Sequence, residues 1–205
     1  ELGGTKLLLE PPKGYCFLEF SQMADAQMLK VLQQQHQGEV RMVAGFADCA
    51  QLEAWRADNK KVTTSYGNIL TPFPLLKKIT KGSHKPLVDM TCKILRENNG
   101  EFHGMKEAGL KDKLDEAVKQ STSNAIKMLG VIDQDKSACY VGTLLPIRAE
   151  NEDPKIQINL STVAVLGRKM LYMNLYSMLE TDTTIQEMLA RQKANIVRNV
   201  NANAS

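Results

Sequence analysis

The sequence predicts a single α+β domain, with an antiparallel or mixed sheet, helices packed mainly on one face, and a closing β-hairpin followed by a helix. Three observations predict this. Stretches of strand and helix period follow one another without strict βαβ alternation. Residues 155–178 form two apolar runs around a glycine turn, and Thr184-Ile-Gln-Glu187 is a capping-box pattern, with Thr184 as the N-cap, that opens a helix. A chain of 205 residues suits one domain, 1–205, large enough to bury a core without cysteine staples.

The elements follow in order along the chain. Residues 7–9 are a short apolar run stopped by Pro11-Pro12, and 14–20 (GYCFLEF) read as an aromatic strand. Ser21 can cap a helix to about residue 35, with Ala24, Met28, Val31 and Leu32 on one face. After Gly38, residues 40–47 (VRMVAGFA) form a buried strand, and 51–56 a short helix. Residues 62–70 are extended until Pro72 and Pro74 close them. A basic connection (77–85, KKITKGSHK) leads to a helix through Val88, Cys92 and Leu95, broken at Asn98-Asn99-Gly100.

Over 106–128 a stripe of Leu110, Leu114, Ala117, Val118, Ser121, Ala125 and Met128 predicts a helix closed by Gly130. An acidic turn at Asp133 and Asp135 then enters a strand over 138–147. In the hairpin, Gly167-Arg168 is the two-residue turn. Pairing Leu166 with Lys169 sets Ala164 opposite Leu171, Thr162 opposite Met173 and Leu160 opposite Leu175. A slip of one residue would expose that apolar set, so the register is firmly specified. The last helix turns Ile185, Met188, Leu189, Ile196 and Val200 inward, and 201–205 fray.

Composition excludes several classes. A net charge of +3 and 5% aromatic residues do not suit a nucleic-acid binder. No apolar run reaches the ~18–20 residues of a membrane helix. Neither a phosphate loop nor a dinucleotide fingerprint nor an HExxH motif occurs, so no cofactor is assigned. Asp133 and Asp135 lack the glycine and terminal glutamate of a calcium loop, and no Cys/His spacing suits zinc. No metal site is therefore assigned. Ten methionines, three of them in the hairpin (Met170, Met173, Met178), read as core filling. Catalytic residues are also unassigned: Ser137 and Ser161 lack a nucleophile elbow, and His36, in QQQHQG, reads as a solvated helix end. The basic connection (Lys77, Lys78, Lys81, His84, Lys85) is the one local charge imbalance. It is a candidate contact for an acidic partner, a phosphate or an anionic headgroup.

Four cysteines permit two disulfides in three connectivities, or four reduced thiols. Pro11-Pro12-Lys13-Gly14-Tyr15-Cys16, Phe46-Ala47-Asp48-Cys49 with Leu52, Trp55 and Arg56, and the terminal hairpin and helix together carry a resemblance. They resemble uncharacterised exported bacterial proteins with a PPxGYC opening and a later ADC motif. More distantly, the order of elements is similar to the PsbP/Mog1-like sandwich. The resemblance implies a removed signal peptide, a periplasmic or secreted location, and a bond between Cys16 and Cys49. Cys92 and Cys139 would then pair, or Cys92 would stay a buried thiol. A Cys16–Cys49 bond requires the strands carrying them to run antiparallel, or Cys16 to lie in a bend, since parallel neighbours would hold them beyond the ~7 Å bridging limit.

The leading functional expectation is a non-catalytic exported protein, an envelope accessory or binding module. One alternative is a hydrolase or transferase with a dispersed site around His84 or His103. Another is an oligomeric interaction protein that uses the edge or second face of the 155–178 hairpin, where Val163, Val165, Met170, Tyr172 and Tyr176 lie.

Overall fold

A computed structural model describes residues 1–34, 36, 38, 40–58, 63–77, 84–98, 126–147, 155–181 and 183–204. The elements are β1 (Tyr15–Phe17), α1 (Met23–Gln34), β2 (Val40–Asp48), α2 (Cys49–Ala57) and β3 (Tyr66–Pro72) with a 3₁₀ turn (Phe73–Leu75). They continue with α3 (His84–Asn98), β4 (Lys127–Gln134), β5 (Ala138–Ile147), β6 (Lys155–Leu166), β7 (Lys169–Met178) and α4 (Thr184–Ala202). The seven strands form one open sheet in the order β1-β2-β3-β7-β6-β5-β4, with every neighbouring pair antiparallel. The mixed-sheet option therefore falls away.

The hairpin has the expected register, from Leu166 opposite Lys169 to Leu160 opposite Leu175. Gly167 and Arg168 both take positive φ, 48° and 65°, as a type I′ turn requires. The sheet buries two different faces. On the first, Phe46, Ile69, Tyr140, Leu160, Leu171 and Leu175 pack against Ile185, Met188 and Ile196 of α4. The second face carries the other three described helices in two patches. Leu29 and Leu32 of α1 with Leu52 of α2 cover β2, while Cys92 of α3 covers Cys139, Val141 and Val163.

Four expectations are corrected. First, Met128 and Gly130 do not end a helix, because both belong to β4, with a bulge between them. Leu129, Val131 and Ile132 are buried there, and pairing with β5 overrides the helical stripe. Residues 106–125 lie outside the described residues. Second, the inner face of α1 is Asp25, Leu29 and Leu32, while Val31 is exposed. A carboxylate can face inward here because Arg56 grips it with two hydrogen bonds, Nε to Oδ1 at 3.0 Å and Nη2 to Oδ2 at 2.6 Å. The Glu19 amide donates a third, at 2.8 Å.

Third, Thr184 is not the N-cap of the last helix. Thr183 holds that position, and the Thr184 hydroxyl accepts instead from the Thr181 amide at 3.1 Å. The helix also continues to Ala202, and Asn203 is held by Leu8 rather than frayed. Fourth, the hairpin offers no edge. β6 pairs with β5 and β7 with β3, while Val163, Val165 and Tyr176 on its second face are buried.

Candidate functional site

Both cysteine pairs are bonded. Cys16 faces Ala47 across the antiparallel β1–β2 pair, and Cys49 lies two residues beyond Ala47, at the start of α2, with the two cysteine Cα atoms 5.0 Å apart. The geometric demand of an antiparallel relation is met. Asp48 caps α2 by accepting from the Gln51 amide at 3.0 Å, so the ADC segment is a strand end, a cap and a staple at once. Gly14 adopts φ 87°, and its carbonyl accepts from the Cys49 amide at 2.9 Å. Tyr15 is buried, with Arg191 over its ring and donating to its hydroxyl at 3.2 Å. The PPxGYC residues thus read as architecture. The second bond joins Cys92 of α3 to Cys139 of β5, with Cα atoms 5.6 Å apart.

The structure does not gather the basic connection into a described site. Lys77 follows the 3₁₀ turn, and Lys85 in the first turn of α3 donates to Asp89 Oδ2 at 2.6 Å, which balances its charge locally. Lys78 and Lys81 lie outside the described residues, as do His103 and the side chain of His84. Asp135 is consumed by its turn, accepting from the Ser137 and Ala138 amides (2.7 and 3.0 Å) and from the Tyr140 hydroxyl (2.8 Å). Asp133 pairs with Lys193. This turn joins two strands rather than a helix and a strand.

Between the two helix patches on the second face, the described residues form a groove of about 470 Å³ over the sheet. That volume falls in the range of small-molecule sites. Its walls are apolar: Val40 and Leu70 from β2 and β3, Leu95 from α3, Val141 and Val163 from β5 and β6, and Tyr172. Its floor is not. Asn174, Ser161 and His36 line it. With the fully buried Asn68 behind them they form one row, in which Asn68, Asn174 and Ser161 are direct cross-strand partners on β3, β7 and β6 and His36, two residues beyond α1, completes the row.

The hydrogen bonds along the row have one direction. The Ser161 hydroxyl donates to Asn174 Oδ1 at 2.6 Å, and Asn174 Nδ2 donates to Asn68 Oδ1 at 2.8 Å. Asn68 Nδ2, which can only donate, is 3.3 Å from His36 Nε2. With the amides in this orientation Nε2 accepts, which is the neutral imidazole with its proton on Nδ1. Burial lowers the His36 pKa from its ordinary value, consistent with that form. Asn68 is fully buried and Asn174 is 5% exposed, so these amides sit where unpaired polar groups would be costly.

One glycine makes the arrangement fit. Gly45, opposite Asn68 on β2, lets Leu29 and Leu32 of α1 approach the sheet; a Cβ there would lie 2.8 Å from Leu29 Cδ2. The end of α1 is thereby set close enough for His36 to reach Asn68. His36 is half-buried and bonded, not a solvated helix end.

Chemically, the row is a hydrogen-bonding floor rather than a nucleophile and base. The proton of Ser161 is taken by an amide oxygen, which is not a base, and His36 is separated from it by two amides. Ser161 still has lone pairs free to accept from the groove. Sequence reasoning missed Asn68 and Asn174. The signal was present in the hairpin register, which sets Ser161 opposite Asn174 on the face away from the apolar set.

Fold and groove define a disulfide-braced α+β protein with an open antiparallel sheet and a ligand-sized cleft on its second face. Comparison with family models, curated proteins and solved structures finds no match to this chain. Among the described residues, no helix is long and apolar enough to cross a membrane.

Proposed function

We propose that this protein is an exported, periplasmic or secreted binding module whose groove takes an uncharged, largely apolar ligand with a hydrogen-bonding head. The observation that carries the reading is the polar row His36–Asn68–Asn174–Ser161, of which His36, Asn174 and Ser161 line an apolar-walled cleft. Apolar walls supply affinity, and a few convergent polar groups fix orientation. While His36 is neutral, an ionised head would be desolvated against amides and a hydroxyl with no countercharge among the described lining residues. The two disulfides support the oxidising compartment, and the PPxGYC and ADC segments support membership of the exported bacterial group they resemble.

The test is binding of a neutral apolar dye, N-phenyl-1-naphthylamine, followed by its fluorescence and displaced by 1-dodecanol. Saturable binding that Ser161→Leu abolishes, by filling the groove from its floor, is the expected outcome. Dye binding unaffected by Ser161→Leu in a folded variant, or no saturable binding, overturns the reading. Intact mass after alkylation without reductant tests the compartment argument: no thiol should react.

A further inference from the structure

The polar row has a property that its bonding pattern alone implies. Each of its two amides is a donor on one side and an acceptor on the other, and neither makes a further side-chain hydrogen bond among the described residues. Rotating both amides by half a turn exchanges their oxygen and nitrogen ends and keeps all three contacts. The row can therefore run in either direction, and the state of His36 selects which. Neutral His36 with its proton on Nδ1 accepts at Nε2 and forces Asn68 to present its nitrogen. Protonated His36 donates at Nε2 and forces Asn68 to present its oxygen. Asn68 Nδ2 must then face Asn174 Oδ1, and Asn174 Nδ2 must face Ser161 Oγ.

We propose that protonation of His36 reverses this row and converts Ser161, at the groove end, from a hydrogen-bond acceptor into a donor. This rests on the groove reading above and adds the ligand chemistry and its regulation. With His36 neutral, the Ser161 proton is committed to Asn174 and its lone pairs face the cleft, so the groove selects a head that donates, such as a hydroxyl. With His36 charged, Asn174 donates to Ser161 and the hydroxyl proton is released. Its alternative partner within the protein, Asn159 Oδ1, lies 3.5 Å away, a weak competitor, so the groove then selects a head that accepts, such as a ketone.

The proton balance is simple: one proton arrives on His36 from solvent, and every other proton stays on its own heavy atom. Of the described residues lining the groove, from β2, β3, α3 and β4 to β7, only Tyr172 carries another titratable group. Burial raises its pKa above the ordinary phenol value, so it stays neutral while His36 titrates. The desolvation that lowers the His36 pKa places the reversal on the acid side of an ordinary histidine.

Two measurements test the proposal independently of one another. In the free protein, the side-chain amide resonances of Asn68 and Asn174 are followed by NMR as His36 is titrated. They should shift with the His36 midpoint, and the shift should vanish in His36→Leu. Amide resonances that stay flat through the midpoint overturn the reversal, whether or not ligands bind. In the second measurement, 1-dodecanol and 2-dodecanone compete with the dye on either side of that midpoint. Their affinity ratio should move toward the ketone in acid by about three- to tenfold, the weight of one net hydrogen bond, and should not move in Ser161→Ala. Coupled amides with an unchanged ratio overturn the selection of ligand by Ser161. Absence of dye binding overturns the groove reading instead.

Discussion

Asn199 of α4 reads the backbone of Glu10 on both sides: its Oδ1 accepts from the Glu10 amide at 2.9 Å, and its Nδ2 donates to the Glu10 carbonyl at 3.0 Å. Asn203 does the same to Leu8, at 2.9 and 2.7 Å. Four residues of helix rise about 6 Å and two residues of extended chain about 6.6 Å, so the spacings agree. The helix thus acts toward the N-terminal segment as a neighbouring strand would, through side-chain amides. Arg198 extends the grip to the Pro11 carbonyl at 3.0 Å.

Asn199→Ala should destabilise the protein by about 1–3 kcal/mol, since it leaves part-buried backbone groups of Glu10 without partners. Urea denaturation measures the loss. Hydrogen exchange at the Glu10 amide should accelerate well beyond that of the central strands, because the segment opens locally first. An unchanged exchange rate would count against the clamp.

The Asp25–Arg56 pair predicts acid sensitivity. Burial pulls the Asp25 pKa up, but the Arg56 hydrogen bond, the Glu19 amide and the Arg56 charge outweigh it and hold it below its ordinary value. The unfolded chain then binds this proton more readily than the native state. The stabilisation is complete above the ordinary carboxylate range near pH 4 and is lost as pH falls through the depressed native value. His36 adds a second window of the same sign, in which stability declines as pH falls below about 6.5 toward its lowered value. Arg56→Met, which strands a buried carboxylate, should cost about 3 kcal/mol, the lower end for a buried pair because Arg56 keeps 32% exposure. Asp25→Asn should cost less and flatten the acid limb. Denaturation midpoints from pH 2 to 7 check both.

The two disulfides should differ in reactivity. Cys16 and Cys49 are half-buried at a sheet edge, whereas Cys92 and Cys139 are fully buried between α3 and the sheet. Mild reductant followed by alkylation and peptide mass mapping should label Cys16 and Cys49 first. Replacing either pair with alanine should cost about 4 kcal/mol in the loop-closure picture. Simultaneous labelling of all four cysteines in the folded protein would contradict the assigned exposure.

Two glycines should tolerate alanine unequally. At Gly45 the new Cβ meets the ends of Leu29 and Leu18, which can shift, so about 1–2 kcal/mol is expected. At Gly67 it meets the Asn174 carbonyl and the ring of Phe46, neither of which can give easily, so the loss should exceed that of Gly45→Ala. Thermal unfolding of the two variants ranks them.

Local chemistry made much of the fold legible. The hairpin, its turn and its register followed from alternation and one glycine, and α2, α3 and β5 from apolar runs with their breakers. What escaped had non-local causes. β4 is a strand because β5 lies beside it, although the stripe before it is helical. Asp25 faces inward because Arg56, 31 residues on, neutralises it. The groove row needed the order of β3, β7 and β6, which no local signal fixes. Ser161 was visible as a serine without an elbow; its meaning came from Asn68 and Asn174 across the sheet.

The two margins of the sheet have a consequence for behaviour at high concentration. At one end β1 spans three residues and is stapled to α2 through Cys16 and Cys49. At the other, β4 carries two irregularities, at Met128/Gly130 and Val131/Asp133, which twist it out of a flat ladder. Short and bulged margins are poor templates for strand addition by a second chain. The long β6 and β7 are enclosed between them, so their backbone groups become available for pairing with a second chain only when the sheet is opened.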